Sequence, residues 1–296
     1  MSQTPISFQD VSFFYSQLEE DETPNLDPSA DREPSPAVED PQSVTQVFSG
    51  LSLELPAGVT SLVGQNGIGK STFLLLAGGR LLPTTGRVLI GDADTAELAG
   101  EGPEVEERRN RLASFIYQNM EFETEDPVGD LMGFVLENGY HRGLPQGFLE
   151  DVQSALGLEE LLGKKTQELA KGELQRTIIA FSLLYGSSVI LMDEPVFALE
   201  DERKSRVFEY LMDYSARYGV SIYYSAHDLH LTEKYSDYLL LFWKNGGVQL
   251  GPTGELFTRE NIEQAYQVPF QMLYRKEYLF REMMMKISGA HTEGEQ

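Results

Sequence analysis

Short, wholly apolar runs alternate with longer amphipathic ones along most of this chain, and the two periods assign most of its elements. Residues 59–63, 87–90, 113–117, 189–192, 221–224 and 238–243 read as strands. Several are too uniformly apolar to have a wet face, which predicts a sheet covered on both sides. Residues 70–77, 128–136, 148–156, 172–185 and 202–216 carry the helical period. From about 119 to 184 helices follow one another with no convincing strand, so the pattern predicts an α/β core interrupted by a helical subdomain. Strand-like runs also cover residues 11–15 and 47–55. No internal repeat is visible.

Between those last two runs the pattern vanishes and charge takes over. Residues 16–46 hold nine acids, one base and five of the 14 prolines, which places -8 of the chain's net charge of -24 in one stretch. With few large apolar residues to offset ordering entropy, 16–46 is expected to be a disordered or loosely held insertion into a sheet. The remaining composition excludes whole classes. There is no cysteine among the 296 residues, so disulfide scaffolds, zinc-thiolate sites and thiol nucleophiles are ruled out together. The negative balance, with no basic run, argues against general nucleic-acid binding. The amino end lacks the basic-then-apolar order of a secretory signal. The longest uncharged run, 177–192, has 16 residues and is broken by Gly186-Ser187-Ser188, so it reads as a helix end, a turn and a strand rather than as a membrane span.

Two motifs carry chemistry. Gly64, Gln65, Asn66, Gly67, Ile68, Gly69, Lys70, Ser71 and Thr72 match the phosphate-binding loop, with an apolar run ending at Val63 and a helical pattern following. Glycines let backbone N–H groups turn toward one point, the helix aims its positive end there, Lys70 reaches terminal phosphates and Ser71 can hold Mg2+. The second is Val189-Ile190-Leu191-Met192 running into Asp193 and Glu194. It sets two carboxylates at the carboxyl end of a buried strand, where α/β sheets bind ligands. Asp193 suits a Mg2+ shell and Glu194 the polarisation of an attacking water. His141, His230 and His291 lack such support and are expected on the surface, and four scattered histidines do not make a metal site.

In order and spacing these motifs resemble those of the nucleotide-binding subunits of ATP-binding cassette (ABC) transporters, over nearly the whole chain outside the acidic stretch. The resemblance implies a P-loop NTPase (RecA-like) α/β core with a mixed sheet and an inserted α-helical subdomain. Residues 1–251 would form the nucleotide-binding domain and 252–296 a C-terminal extension. It implies ATP hydrolysis with Mg2+ by two cassettes meeting head to tail. Tyr15 would stack on adenine, Gln118 would contact Mg2+ and sense the membrane partner, and His227 would meet the γ-phosphate. The family signature, usually Leu-Ser-Gly-Gly-Gln, stands here as Leu169, Ala170, Lys171, Gly172 and Glu173. Ala170 lacks the serine hydroxyl, so closure on the facing nucleotide is expected to be weakened. Phe197-Ala198-Leu199-Glu200 replaces the usual Ser-Ala-Leu-Asp. The implied partners are a second cassette, identical or not, and a permease docking near Gln118 and the helical subdomain, with the chain on the cytoplasmic face of the cell membrane and no nucleic acid. The segment 251–268 is similar to the endings of subunits serving iron-siderophore, heme or cobalamin importers. Another importer, an exporter, a soluble cassette acting on nucleic acid or ribosomes, and a nucleotide-binding module without turnover remain alternatives.

Overall fold

The computed structural model describes residues 4–16, 44–118, 120–141, 143–196, 198–225 and 228–273. Among these described residues, ten strands form two sheets. An antiparallel sheet contains β1 (Ile6–Ser16), β2 (Val44–Leu55), β4 (Thr85–Ile90) and β5 (Ala93–Asp94), in the order β2-β1-β4-β5. The larger sheet contains β3 (Val59–Val63), β6 (Ala113–Ile116), β7 (Val189–Asp193), β8 (Ser221–Ser225), β9 (Tyr238–Phe242) and β10 (Val248–Pro252). Its order is β10-β9-β3-β8-β7-β6, parallel except for β10. The uniformly apolar runs are the parallel strands, as burial on both faces requires.

Helix α1 (Lys70–Ala77) lies between the sheets. Phe73 stacks on Phe8 of β1 at 4.5 Å and meets Phe242 of β9 edge-on at 5.7 Å, and Phe73, Leu74, Leu76 and Ala77 are fully buried. A helix covered on all sides needs no polar face, which explains its apolar sequence after Thr72. Between β6 and β7 stand α3 (Val128–Glu137), α4 (Phe148–Leu156) and α5 (Lys171–Tyr185), with no strand among the described residues there. α6 (Asp201–Tyr218) covers the other face of the large sheet. The expected elements are present, with ends moved by a few residues. The exposed helix α2 (Pro103–Leu112), α7 (Leu229–Lys234), α8 (Thr253–Leu256), α9 (Arg259–Tyr266) and strands β5 and β10 are additional.

Three expectations need correction or limits. β1 and β2 pair up to Ser16↔Val44, so Ser16 and 44–46 are strand residues rather than part of the acidic insertion, while 17–43 lie outside the described residues. His141 is half-buried rather than on the surface: its Nε2 sits 2.6 Å from the Leu183 carbonyl, and burial lowers its pKa. His230 is exposed, and His291 lies outside the described residues. Residues 177–192 divide into the end of α5, a turn at Gly186 and β7. No helix among the described residues is long and apolar enough to cross a membrane.

The helical layer is held by a buried cation. Arg176 of α5 is 4% exposed, and its Nη1 donates to the Leu156 and Gly157 carbonyls at 2.5 and 2.6 Å, which closes the C-terminal end of α4. Arg176→Ala would leave two helix-end carbonyls without donors and open a void. It is expected to lower stability by about 2–4 kcal/mol, measured as a shift in the urea midpoint at unchanged m-value.

Candidate nucleotide site

The site begins where β3 ends. β3 is buried along its whole length and paired on both edges, so the chain leaves it at a fixed point and turns through Gly64–Gly69 into α1. Gly67 has φ of 75° and Gly69 of 109°, a region that favours glycine. At Gly69 a side chain would also collide, since a Cβ would lie 2.7 Å from Val47 Cγ1. Lys70 folds back over this loop. Its Nζ donates to the Gly64 and Gln65 carbonyls at 2.7 and 2.8 Å, and the residue is 7% exposed. Burial lowers its pKa from 10.5 to about 8, opposed by the nearby charges of Glu194 and Asp193. The ammonium is therefore held against the start of the loop that leads into α1, whose first-turn N–H groups have no intrahelical carbonyl partner.

The two carboxylates reach the same region from β7. β8 runs beside it with Asp193 opposite Ser225. Ser225 Oγ donates to Asp193 Oδ1 and accepts the Glu194 N–H at 3.1 Å, and the Ser225 carbonyl accepts that N–H at 3.2 Å. These bonds hold Glu194 at φ of 50°, an unfavourable position for a residue with a Cβ. On the other edge β6 pairs with β7 through Ile116↔Met192. Gln118, two residues on, thus reaches across, and its Nε2 donates to Glu194 Oε2 at 2.9 Å. Gln175 of α5 completes the frame, its Nε2 donating to the Glu194 carbonyl at 3.2 Å while its Oε1 accepts the Ala198 N–H at 3.1 Å. Sequence reasoning passed over Ser225 and Gln175. A lone serine and a lone glutamine have no local pattern, and only the β7–β8 register and the path of α5 disclose them. His227 and Phe197 lie outside the described residues.

Tyr15, next to the last residue of β1, has its hydroxyl 3.1 Å from Thr72 Oγ1. Its ring stands edge-on to Phe13 at 4.9 Å and is 42% exposed, so an accessible aromatic surface is anchored to the helix that follows the phosphate loop. Ser71 is exposed and Thr72 buried. Leu169–Glu173 opens α5 with Ala170 as its N-cap residue, and no side chain caps the helix. Glu173 supplies one half of a capping box, accepting the Ala170 N–H on Oε2 at 2.9 Å, and its Oε1 lies 3.6 Å from Lys164 Nζ. Gly172 has a packing reason, because a Cβ there would lie 2.8 Å from the Ala198 carbonyl oxygen. Between the end of β6 and α5 lies a cleft of about 270 Å³ lined by Tyr117, Met120, Phe122, Leu174 and Ile178, with Glu121 and Glu123 also on its wall.

The ABC transporter family profile matches residues 48–197. The chain is 31% identical over 208 residues, 69% of its length, to the methionine import ATP-binding protein MetN of Cereibacter sphaeroides, and spans 57% of that protein's length. It is 30% identical over 227 residues to the hemin import ATP-binding protein HmuV of Hahella chejuensis, covering 74% of this chain and 85% of that protein. Among solved structures, a dimeric ATP-binding cassette in a post-hydrolysis state, bound to ADP and Pi, is similar with a TM-score of 0.63 at 19% identity. That likeness, over 84% of this chain and 98% of the other, is one of fold.

The buried lysine makes stability depend on pH in a defined sense. With a pKa of about 8 when folded and 10.5 when unfolded, the unfolded chain binds more protons between those values. Stability of the nucleotide-free protein therefore rises with pH across that window, the burial penalty being fully present below it. Urea midpoints measured from pH 7.5 to 10.5 are expected to show this increment in the native protein relative to Lys70→Met, which lacks it.

Proposed function

The chain belongs to the ATP-binding cassette (ABC) transporter family, and from that membership together with the site we propose that it is the ATP-binding and ATP-hydrolysing subunit of a transporter. The observation that carries this reading is the convergence of four side chains at one end of the large sheet. Asp193 and Glu194 act electrostatically on Lys70, and Gln118 is bonded to Glu194. In this reading the loop amides and Lys70 hold the phosphates and Tyr15 offers its exposed ring to the base. Glu194 orients and polarises the attacking water, kept in place by its backbone bonds to Ser225 and by Gln118. His227 is assigned to the γ-phosphate on its motif alone.

The residues fit a magnesium ion. Ser71, Asp193 and Gln118 offer oxygen donors, and no cluster of three or more His, Cys, Asp or Glu competes among the described residues. Such a set suits a hard cation that takes its other ligands from phosphate and water. Bound there, the ion would neutralise charge on the transferring phosphoryl group.

Two cassettes would face each other head to tail, Leu169–Glu173 of one closing on the nucleotide of the other, beneath a permease on the cytoplasmic face of the membrane. The cleft beside Gln118, with Tyr117 and Met120 exposed on its wall, supports permease docking there. For cargo we favour a metal chelate of the iron-siderophore, heme or cobalamin kind, a reading supported by the similarity to a hemin import protein. A different imported cargo is the second reading, favoured by the comparable identity to a methionine import protein. Identification of the membrane subunit that co-purifies with the chain separates the two. ATPase activity stimulated by nucleic acid alone, with no membrane subunit, would overturn both.

Glu194→Gln is expected to leave ATP affinity within about twofold and to lower turnover by roughly 100-fold or more; undiminished phosphate release would remove Glu194 from its role. Ala170→Ser supplies the missing side-chain cap of α5, worth about 0.5–2 kcal/mol. It is expected to raise both the melting temperature and the steady-state ATPase rate, the second because a hydroxyl is restored to the closing loop. A higher melting temperature with no change in rate would confine Ala170 to helix capping.

A further inference from the structure

A third apolar cluster lies beneath the phosphate loop and is built by the C-terminal segment. Leu256 of α8 and Ile262 and Ala265 of α9 pack with Val63, Leu239 and Leu241, and Val63 is the last residue of β3 before the loop. This packing sets the end of α9 against the loop itself. Gln65 Nε2 donates to the Tyr266 carbonyl oxygen at 2.6 Å. Tyr266 is the last residue of α9, where helix carbonyls have no intrahelical partner, and Gln267 turns the chain away with φ of 57°. The segment beyond is tied down in turn, since Glu263 Oε1 accepts from the Phe270 N–H at 2.8 Å and from Arg259 Nε at 2.9 Å. On its other side Gln65 offers its main-chain carbonyl to Lys70 Nζ at 2.8 Å. One residue is bonded through its side chain to α9 and through its backbone to the lysine of the phosphate loop.

We propose that Gln65 is a positioning residue through which α9 sets the affinity of the phosphate loop for ATP; the proposal rests on the reading of that loop as the ATP site. Within the loop the Gln65 carbonyl is held by the Lys70 ammonium and by a long bond from the Ile68 N–H at 3.4 Å, and its neighbours Gly64 and the exposed Asn66 supply no packed side chain to fix the peptide further. The bond to Tyr266 supplies that fixation from outside the loop. It settles where the Gln65 carbonyl faces, and with it the place from which the Lys70 ammonium moves to phosphate. Without the bond the loop must be ordered when nucleotide binds, and that ordering is subtracted from affinity. The Gln65 side chain is turned away toward α9, so the effect falls on binding rather than on the chemical step. Linkage makes it reciprocal: ATP held by an ordered loop must stabilise the end of α9.

The test uses the full chain with ATP. Gln65→Met keeps the length of the side chain and removes its donor, and Gln65 is half-buried, so the fold should tolerate it. The variant is expected to raise Kd and KM for ATP by roughly 3- to 10-fold, the net worth of one hydrogen bond, with kcat changed far less. In the native protein, ATP is expected to slow hydrogen exchange at the amides of residues 262–268, and in Gln65→Met this slowing is expected to vanish. Unchanged Kd and KM, a loss confined to kcat, or native exchange at 262–268 indifferent to bound ATP would each overturn the proposal. The exchange measurement on the native chain needs no variant. Failure of the native chain to bind ATP would overturn the site reading as well, whereas native binding with an unaffected variant overturns only the role of Gln65.

Discussion

An ammonium group held out of water is the constraint around which the molecule is arranged. Lys70 is 7% exposed and has the Gly64 and Gln65 carbonyls as acceptors. A buried cation whose hydrogen-bond acceptors are neutral carbonyls, with the Glu194 and Asp193 charges only nearby, is unfavourable unless those acceptors are rigidly placed. Much of the architecture serves that placement. β3 is fixed on both edges by β8 and β9, and α1 is held by Phe73 against Phe8, Phe48 and Phe242. The loop is closed from above by Val47, which leaves no room for a side chain at Gly69. In the proposed reading, an arriving polyphosphate would replace two neutral acceptors with anionic ones, and the burial that weakens the free state would strengthen the bound one.

The carboxylate side of the site is arranged by the same means. Glu194 sits in the left-handed region, a conformation that costs on the order of 1–2 kcal/mol for an ordinary residue. Ser225 compensates with two acceptors for one N–H. Because Glu194 is also held through its carboxylate by Gln118 and through its carbonyl by Gln175, it is attached at once to the end of β6 and to the helical layer. Any displacement of α5 relative to the sheet must alter at least one of these bonds. In the proposed reading, a permease pressing on the cleft between them would act on the residue assigned to water without touching the nucleotide.

What could be read in the sequence follows from where each signal resides. The parallel strands and α4 and α6 announce themselves because burial dictates their apolar period. Helix α2 does not, since none of its residues is buried and its order comes from Arg80 reaching Glu106 and Asn110 and from Arg109 reaching the Leu98 carbonyl. β10 and α9 escaped for a similar reason: α9 has only Ile262 and Ala265 buried in eight residues, too few to set a period. Within the site, the phosphate loop and the two acids are contiguous and therefore legible. Ser225 and Gln175 act through register and helix path, and Gln65 looks like an ordinary loop residue until Tyr266 is placed beside it.

The acidic stretch raises a question of packing that the strand register answers. It enters the chain one residue after Ser16, the partner of Val44, so β1 and β2 stay paired up to its edge. Joining two paired strand ends through 27 residues rather than through a turn of four adds roughly 2 kcal/mol on a chain-closure estimate. Against this stands the contribution of β1 itself, whose Ile6, Phe8, Val11 and Phe13 enter the same apolar cluster as Phe73. Four large side chains buried there contribute several times the closure penalty, at about 1.5–3 kcal/mol each. The family profile begins at residue 48, beyond the insertion, yet the strand before it carries both Tyr15 and a wall of the core around α1. The insertion therefore interrupts the sequence of the cassette without interrupting its packing, and the pairing of β1 with β2 is what makes the two compatible.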